Sequence, residues 1–339
     1  MQATLYDTLD GQVVQCRLCH HSCLIKPGRK GICQVRLNEG GQLKSLVYGK
    51  VIARHIDPIE KKPLFHFFPG SRSYSIATVG CNFRCRFCQN ADIAQMPKDR
   101  KGLVMGSDCA PSEIVDDASI QGCASIAYTY TEPTVYFEFA LETARLARAK
   151  GLKNVFVTNG YMTSDALDMI APYLNGANVD LKSFNDEFYK KYCGARLEPV
   201  KATLKKMKRM GIVLEVTTLL IPGLNDDIQE LNDLSRFVAD ELGPETPWHI
   251  SRFHPTYRLT DRPVTPERAL LRAYEIGKMA GLHYVYIGNI QTENGEHTRC
   301  ANCDAMLIER WGYIIKQNRI VEGKCPECQA SVYGAGMSG

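Results

Sequence analysis

The chain has 339 residues, a formal net charge of +4, and 45% hydrophobic against 23% charged residues. That composition is ordinary for a globular protein, and the length suits one large domain with small appendages. The small net charge makes no case for a nucleic-acid partner. No apolar run approaches the roughly 20 residues that span a bilayer, and MQATLYDTLDGQVVQC lacks the basic start and apolar core of a signal peptide. A cytoplasmic protein with no membrane partner is therefore expected.

Fourteen cysteines are many for such a protein. In a reducing compartment they are better metal ligands than disulfide partners. Eleven fall into three groups: Cys16/Cys19/Cys23/Cys33, Cys81/Cys85/Cys88 and Cys300/Cys303/Cys325/Cys328. Cys109, Cys123 and Cys193 stand alone and read as small buried hydrophobes.

Residues 1–73 form a leader. Its four cysteines lie within 18 residues, with Gly28 and Gly31 free to make the tight turns of a metal knuckle. A closed zinc site is expected there, with a second iron–sulfur cluster as the rival. The leader also carries eleven Lys/Arg against five Asp/Glu, a basic excess that could face an acidic partner or offset bound thiolates. Val51–Ile56 reads as a strand, and DPIEKKPLFHFFPG (57–70) as an ordered irregular loop, dense in Glu60, Lys61, Lys62, His66 and phenylalanines. It suits either a cleft wall or a plain packing segment.

The next stretch, SIATVGCNFRCRFCQN (75–90), is a strand over Ile76–Val79, a break at Gly80, and a loop with C-x3-C-x2-C spacing and Phe87 before the last cysteine. Three thiolates on one loop suit three irons of a [4Fe–4S] cluster, which ordinarily takes four cysteines. The missing ligand leaves one iron open. A zinc knuckle or three incidental cysteines is the competing reading.

From there short apolar runs alternate with amphipathic helices. Helices are expected over 111–121, 135–149, 164–173, 200–209, 228–241 and 266–280, and strands over 125–128, 154–157, 178–181, 213–220, 248–251 and 284–287. Repeated βα units predict a parallel sheet curling into a partial (β/α)6 TIM-like barrel over 74–297. Active sites of such barrels lie at the strand C-termini. There the chain places Thr131-Glu132-Pro133, Thr158-Asn159-Gly160, Asp180 and Lys182, Glu215 within the fifth strand, and His254 after the sixth. Polar clusters at successive strand ends beside an open cluster predict a binding site. The tail, 298–339, has Cys300-Ala-Asn-Cys303 and Cys325-Pro-Glu-Cys328, a zinc-ribbon pattern with rubredoxin-like iron as the alternative. Trp311, Tyr313 and Ile314 are expected to fill its core.

The cluster loop resembles the signature of the radical S-adenosylmethionine (SAM) superfamily. Over roughly 74–290 the chain resembles the pyruvate formate-lyase activating branch. With CRLCHHSC…GIC, DPIEKKPLFHFFPG, YTYTEPT, VTNGY, VDLKSF and LLIPGLND it is similar to the AmmeMemoRadiSam system family. The resemblance implies a [4Fe–4S] cluster on Cys81, Cys85 and Cys88, whose open iron is chelated by the SAM amino and carboxylate groups. One electron then cleaves SAM to a 5′-deoxyadenosyl radical that takes hydrogen from a substrate. It implies that Thr131-Glu132-Pro133 stands for a GGE motif holding the SAM amino group, here without its glycines. Thr158, Asn159 and Asp180 match a SAM-side strand-end set in which Val157 replaces an aspartate. Lys182 is expected to meet a carboxylate, and His254 to lie on the adenine side. Expected partners are a small-molecule or protein substrate, an electron donor such as flavodoxin or ferredoxin, and proteins of a shared pathway; two zinc ions complete the cofactors. The alternatives are a glycyl-radical-enzyme activase and, from another class, a metal-stabilised nucleic-acid-binding protein. The latter lacks any aromatic–basic stacking platform.

Overall fold

The computed structural model describes residues 1–290 and 295–339. Its largest sheet has eight strands: β1 (Ala53–Pro58), β2 (Arg72–Ala77), β3 (Ser125–Tyr128), β4 (Lys153–Thr158), β5 (Gly176–Asp180), β6 (Val213–Leu220), β7 (Trp248–Arg252) and β8 (Val285–Gly288). Each strand pairs with its neighbour in sequence, and β1 and β8 are the free edges of an open arc. Strands β2 to β8 are parallel, seven in all, and β1 runs antiparallel to β2.

Six helices alternate with the parallel strands: α1 (Pro111–Ile120), α2 (Phe137–Ala149), α3 (Ser164–Ile170), α4 (Leu197–Arg209), α5 (Ile228–Phe237) and α6 (Glu267–Met279). Their apolar stripes make the outer core. On α4 the buried Leu197, Val200, Leu204 and Met207 share one face, while Lys205, Lys206 and Arg209 stay outside. Helix α5 begins where Asp227 accepts hydrogen bonds from the amides of Gln229 and Glu230. It ends short of the expected Glu241, because Val238–Leu242 widens into a π turn before Gly243.

The inner face of the arc is unusual. Barrel interiors are ordinarily filled by branched apolar side chains. Here Asn178 pairs with Glu215 across β5 and β6, and His249 with Tyr286 across β7 and β8. They are polar because they hold a backbone. The 57–70 loop passes through the arc as a plug. Asn178 Nδ2 donates to the Pro63 carbonyl at 2.7 Å, and Glu215 accepts from the amides of Phe65 (3.0 Å) and His66 (2.7 Å). Phe67 packs with Ile59, Leu64, Ala127 and Val155, so the plug supplies the apolar volume that the strands lack.

The leader forms a three-stranded and a two-stranded antiparallel sheet against the barrel. Its basic residues pair with carboxylates: Arg36 with Glu138, Arg17 with Asp165, Lys50 with Asp108, Arg54 with Asp117, and Lys61 and Lys62 with Asp57. Much of the local excess of positive charge is thus neutralised within the molecule.

The tail packs a hairpin, Met306–Trp311 with Ile314–Asn318, over the barrel. Trp311, Tyr313 and Ile314 do not fill its core. They sit at the hairpin tip and are 58%, 48% and 59% exposed. The core is instead Leu307, Ile308, Ile320, Val332 and Met337 against Phe65, Tyr284 and Tyr286 of the barrel and plug. A unit this short buries its apolar side chains on a neighbour because it lacks the volume to bury them on itself.

Candidate active site

A cavity of about 380 Å³ opens at the C-terminal ends of the parallel strands. Its wall includes Cys81, Cys85 and Cys88, together with Thr131, Glu132, Thr158, Asn159, Asp180 and Lys182. The volume lies within the range of small-molecule sites.

The cysteine loop is fixed from three sides. Arg84 and Arg86 amides donate to the carbonyls of Cys193 and Tyr192, at 2.7 and 2.9 Å. Lys98 Nζ donates to the carbonyls of Cys81 and Phe83. Asn159 Nδ2 donates to Asn82 Oδ1 at 2.7 Å, tying the loop to the end of β4. Gly80 is required where the loop leaves β2: its φ is 102°, and a Cβ there would meet Val35 Cγ1 at 2.7 Å. Burial pushes the Cys88 thiol up to about 12 and raises Cys81 as well. Cys85 is raised by a hydrogen bond with Cys193 and by burial. These thiols therefore ionise only as metal replaces their protons. Cys193, isolated in sequence, proves to be the side-chain neighbour of Cys85.

Glu132 is fully enclosed. Its Oε1 accepts from Thr134 N (3.0 Å), Thr134 Oγ1 (2.5 Å) and Thr158 Oγ1 (2.8 Å); Oε2 accepts from Asn159 N (2.8 Å). Burial raises its carboxyl, and these bonds oppose that rise. Oε2 keeps acceptor capacity for one more donor. The missing glycines have a structural substitute. Tyr130, two residues before Glu132, takes a left-handed conformation (φ 62°). Its carbonyl accepts from Asn90 Nδ2 at 2.8 Å, its hydroxyl donates to Asp57, and Lys62 Nζ lies 4.7 Å from its ring centre. Those contacts offset the cost of placing a side chain where glycine is favoured.

On the opposite wall Lys182 Nζ bonds Asp180 Oδ2 at 2.8 Å. Burial works against its charge, but Asp180 holds it protonated. Lys61, Lys62 and Pro63 of the plug, with Tyr130, also line the cavity. The loop is therefore both cleft wall and packing segment: its lysines face the cavity and its phenylalanines face the barrel interior. Lys62 is 2% exposed and bonds Asp57 Oδ2 at 2.5 Å. Against the cost of burial, Lys61, Lys62 and Tyr130 hold Asp57 well below the usual carboxylate range.

Two expected site residues lie elsewhere. Glu215 is outside the cavity lining; His249 Nε2 bonds its carboxylate at 2.6 Å, beside the plug amides. Its carboxyl is lowered despite burial, because His249 and the plug amides favour the charged form. His254 follows β7 with its side chain exposed, also outside the lining. Position after a strand does not suffice, since the segment that follows β7 buries Phe253 and leaves His254 exposed. Tyr313 reaches the cavity rim from the tail, a contact that no local pattern foretells.

In the tail, Cys300 and Cys328 sulfurs lie 3.5 Å apart, and Cys303 and Cys325 3.7 Å apart. All four fall within 4.8 Å of one another, close enough to share one metal ion.

A seven-stranded parallel arc with three loop cysteines and polar strand ends around one cavity defines a radical SAM enzyme. Residues 75–235 match the Radical SAM superfamily, and the chain belongs to it. A Methanocaldococcus jannaschii protein, MJ0808, is 48% identical over 315 residues, which are 93% of each chain. A pyruvate formate-lyase-activating enzyme of Streptococcus mutans is 22% identical over 50% of this chain and 66% of its own. A radical SAM methyltransferase of Sphaerobacter thermophilus aligns over 66% of this chain and 67% of its own, at 14% identity and TM-score 0.49. The superfamily implies a [4Fe–4S] cluster and SAM, and three inward thiols with a cavity of this size fit both.

Proposed function

We propose that the chain is a radical SAM enzyme of the AmmeMemoRadiSam type, acting in the cytoplasm, whose barrel (74–297) works between a leader (1–73) and a zinc-bearing tail (298–339). The observation that carries this reading is the convergence of Cys81, Cys85 and Cys88 with six polar strand-end residues on one cavity. When bound, the cluster supplies one-electron cleavage of SAM, and the electron comes from a flavodoxin- or ferredoxin-like carrier. The protein's part is to orient and to exclude water. Glu132 Oε2 accepts from the SAM ammonium, Thr158 and Asn159 fix that carboxylate, and Lys182, steered by Asp180, meets a SAM carboxylate or ribose. The substrate enters beside Lys61, Lys62 and Tyr130. Two lysines around one Asp57 leave that wall net positive, which favours a substrate with an anionic group.

The test is anaerobic reconstitution with iron and sulfide, then dithionite and SAM. We expect 5′-deoxyadenosine from the wild-type chain and only background from Cys88→Ala. Equal yields from the two would overturn the reading. Similarity to the S. mutans enzyme supports a second reading, activation of a glycyl-radical enzyme. A glycyl-radical EPR signal on a co-purifying partner would select it over direct modification of a small molecule or another protein.

A further inference from the structure

We propose that Cys16, Cys19, Cys23 and Cys33 hold a second iron–sulfur cluster, not zinc. The proposal rests on the preceding reading only in taking Cys81/Cys85/Cys88 as a cluster site. A zinc ion draws four sulfurs about 3.8 Å apart, given Zn–S bonds of about 2.3 Å. The tail sulfurs meet that spacing at 3.5 and 3.7 Å. Among the described residues, the tail quartet is the one group of three or more potential ligands within 4.8 Å of one another. The leader sulfurs fail that limit, as do those of Cys81, Cys85 and Cys88. A cluster separates its thiolates by a whole cluster edge instead of one shared ion, and neither set is gathered around one ion as the tail quartet is.

Two further observations point the same way. The four leader cysteines line a single mainly apolar cavity, walled also by Leu18 and Val135. Two nearly fully buried donors on that wall, Arg36 Nε and Asn82 Nδ2, have no hydrogen-bond partner. Buried N–H groups are rarely left unpaired. The inorganic sulfides and cysteine sulfurs of a cluster are the acceptors they lack. Asn82 also adjoins Cys81, and His21 Nε2 lies 2.9 Å from the Asn82 carbonyl, so this cavity and the SAM-side loop share a wall.

The experiment reconstitutes the full-length Cys81→Ala/Cys85→Ala/Cys88→Ala chain anaerobically with ferrous iron, sulfide and equimolar zinc. We expect about four iron and four acid-labile sulfide per chain, with an S = 1/2 EPR signal after dithionite. Adding Cys16→Ser and Cys33→Ser should abolish both. Iron in the tail would bring no sulfide and cannot imitate the result. A triple variant that binds zinc and no sulfide overturns the proposal. Should that variant fail to fold, the wild-type sulfide count decides: about eight supports it and about four overturns it. Absence of 5′-deoxyadenosine formation would sink the proposed function and leave this count unchanged.

Discussion

The two four-cysteine units share ligand type and number but are built differently. In the tail, Cys300-Ala-Asn-Cys-Asp-Ala and Cys325-Pro-Glu-Cys-Gln-Ala fold as near copies. In each, the first cysteine amide donates to the alanine carbonyl five residues on, at 2.9 Å, and the residue after the second cysteine is left-handed (Asp304 φ 58°, Gln329 φ 61°). Both knuckles close locally, and docking them face to face brings the sulfurs to zinc spacing. In the leader, Cys16 ends a short strand and its amide donates to the Cys23 carbonyl across a hairpin at 2.9 Å, Cys19 bridges to Met162 of the barrel, and Cys33 sits on a turn. The hairpin joins two of the four, but the set does not gather as the tail quartet does. The comparison teaches that equal ligand type and number need not give equal geometry: two matched knuckles gather the tail's four sulfurs, and one hairpin with a distant turn does not gather the leader's.

The largest effect should come from the tail. Structural zinc contributes about 10–16 kcal/mol to small folds. Cys325→Ser should therefore release zinc and expose 298–339 to limited proteolysis, with the sulfide content unchanged. Cys33→Ser should do the opposite, losing sulfide and keeping zinc; loss of zinc alone from Cys33→Ser would break the contrast.

Next is the leader's anchor. Arg36 bonds both oxygens of Glu138, at 3.1 and 2.6 Å, with both side chains buried. Arg36→Met leaves a buried carboxylate unpaired, at a cost of about 3–5 kcal/mol in denaturant unfolding. The tail should stay protease-resistant.

The tail's anchor is instead pH-sensitive. His66 is buried between the Tyr333 carbonyl and the Tyr286 hydroxyl, each at 2.7 Å, and burial lowers it to about 4. The ordinary value is 6.5, so between 6.5 and 4 the unfolded chain binds the extra proton and the folded one resists it. Stability is full above about 6.5 and falls by up to ~3 kcal/mol as pH drops toward 4. Unfolding midpoints of His66→Asn should lack this component of the pH dependence; an unchanged slope would refute the assignment.

The smallest effects separate the plug from the cavity. Glu215→Gln should cost about 2 kcal/mol by disturbing the plug amides and His249, with 5′-deoxyadenosine formation per folded chain retained. Lys182→Ala should raise the SAM KM about tenfold, the value of one charged hydrogen bond.

The sequence by itself determined what is local. The cluster loop, the alternation of strands and helices, and the paired tail knuckles each lie within one short stretch, where periodicity, glycine placement and ligand spacing are read directly. Six of the eight predicted SAM-side residues also reach the cavity, because a parallel βα repeat delivers every strand end to one rim. Tertiary structure alone decided what each side chain faces across the barrel. Glu215 points inward like a site residue, yet it meets a plug 150 residues earlier in the chain. Cys193 meets Cys85, and Tyr313 meets the rim, through packing that no periodicity encodes. The leader's cysteines carry the same ambiguity. Their spacing along the chain allowed zinc or a cluster, and only the folded chain shows that they do not gather as the tail quartet does.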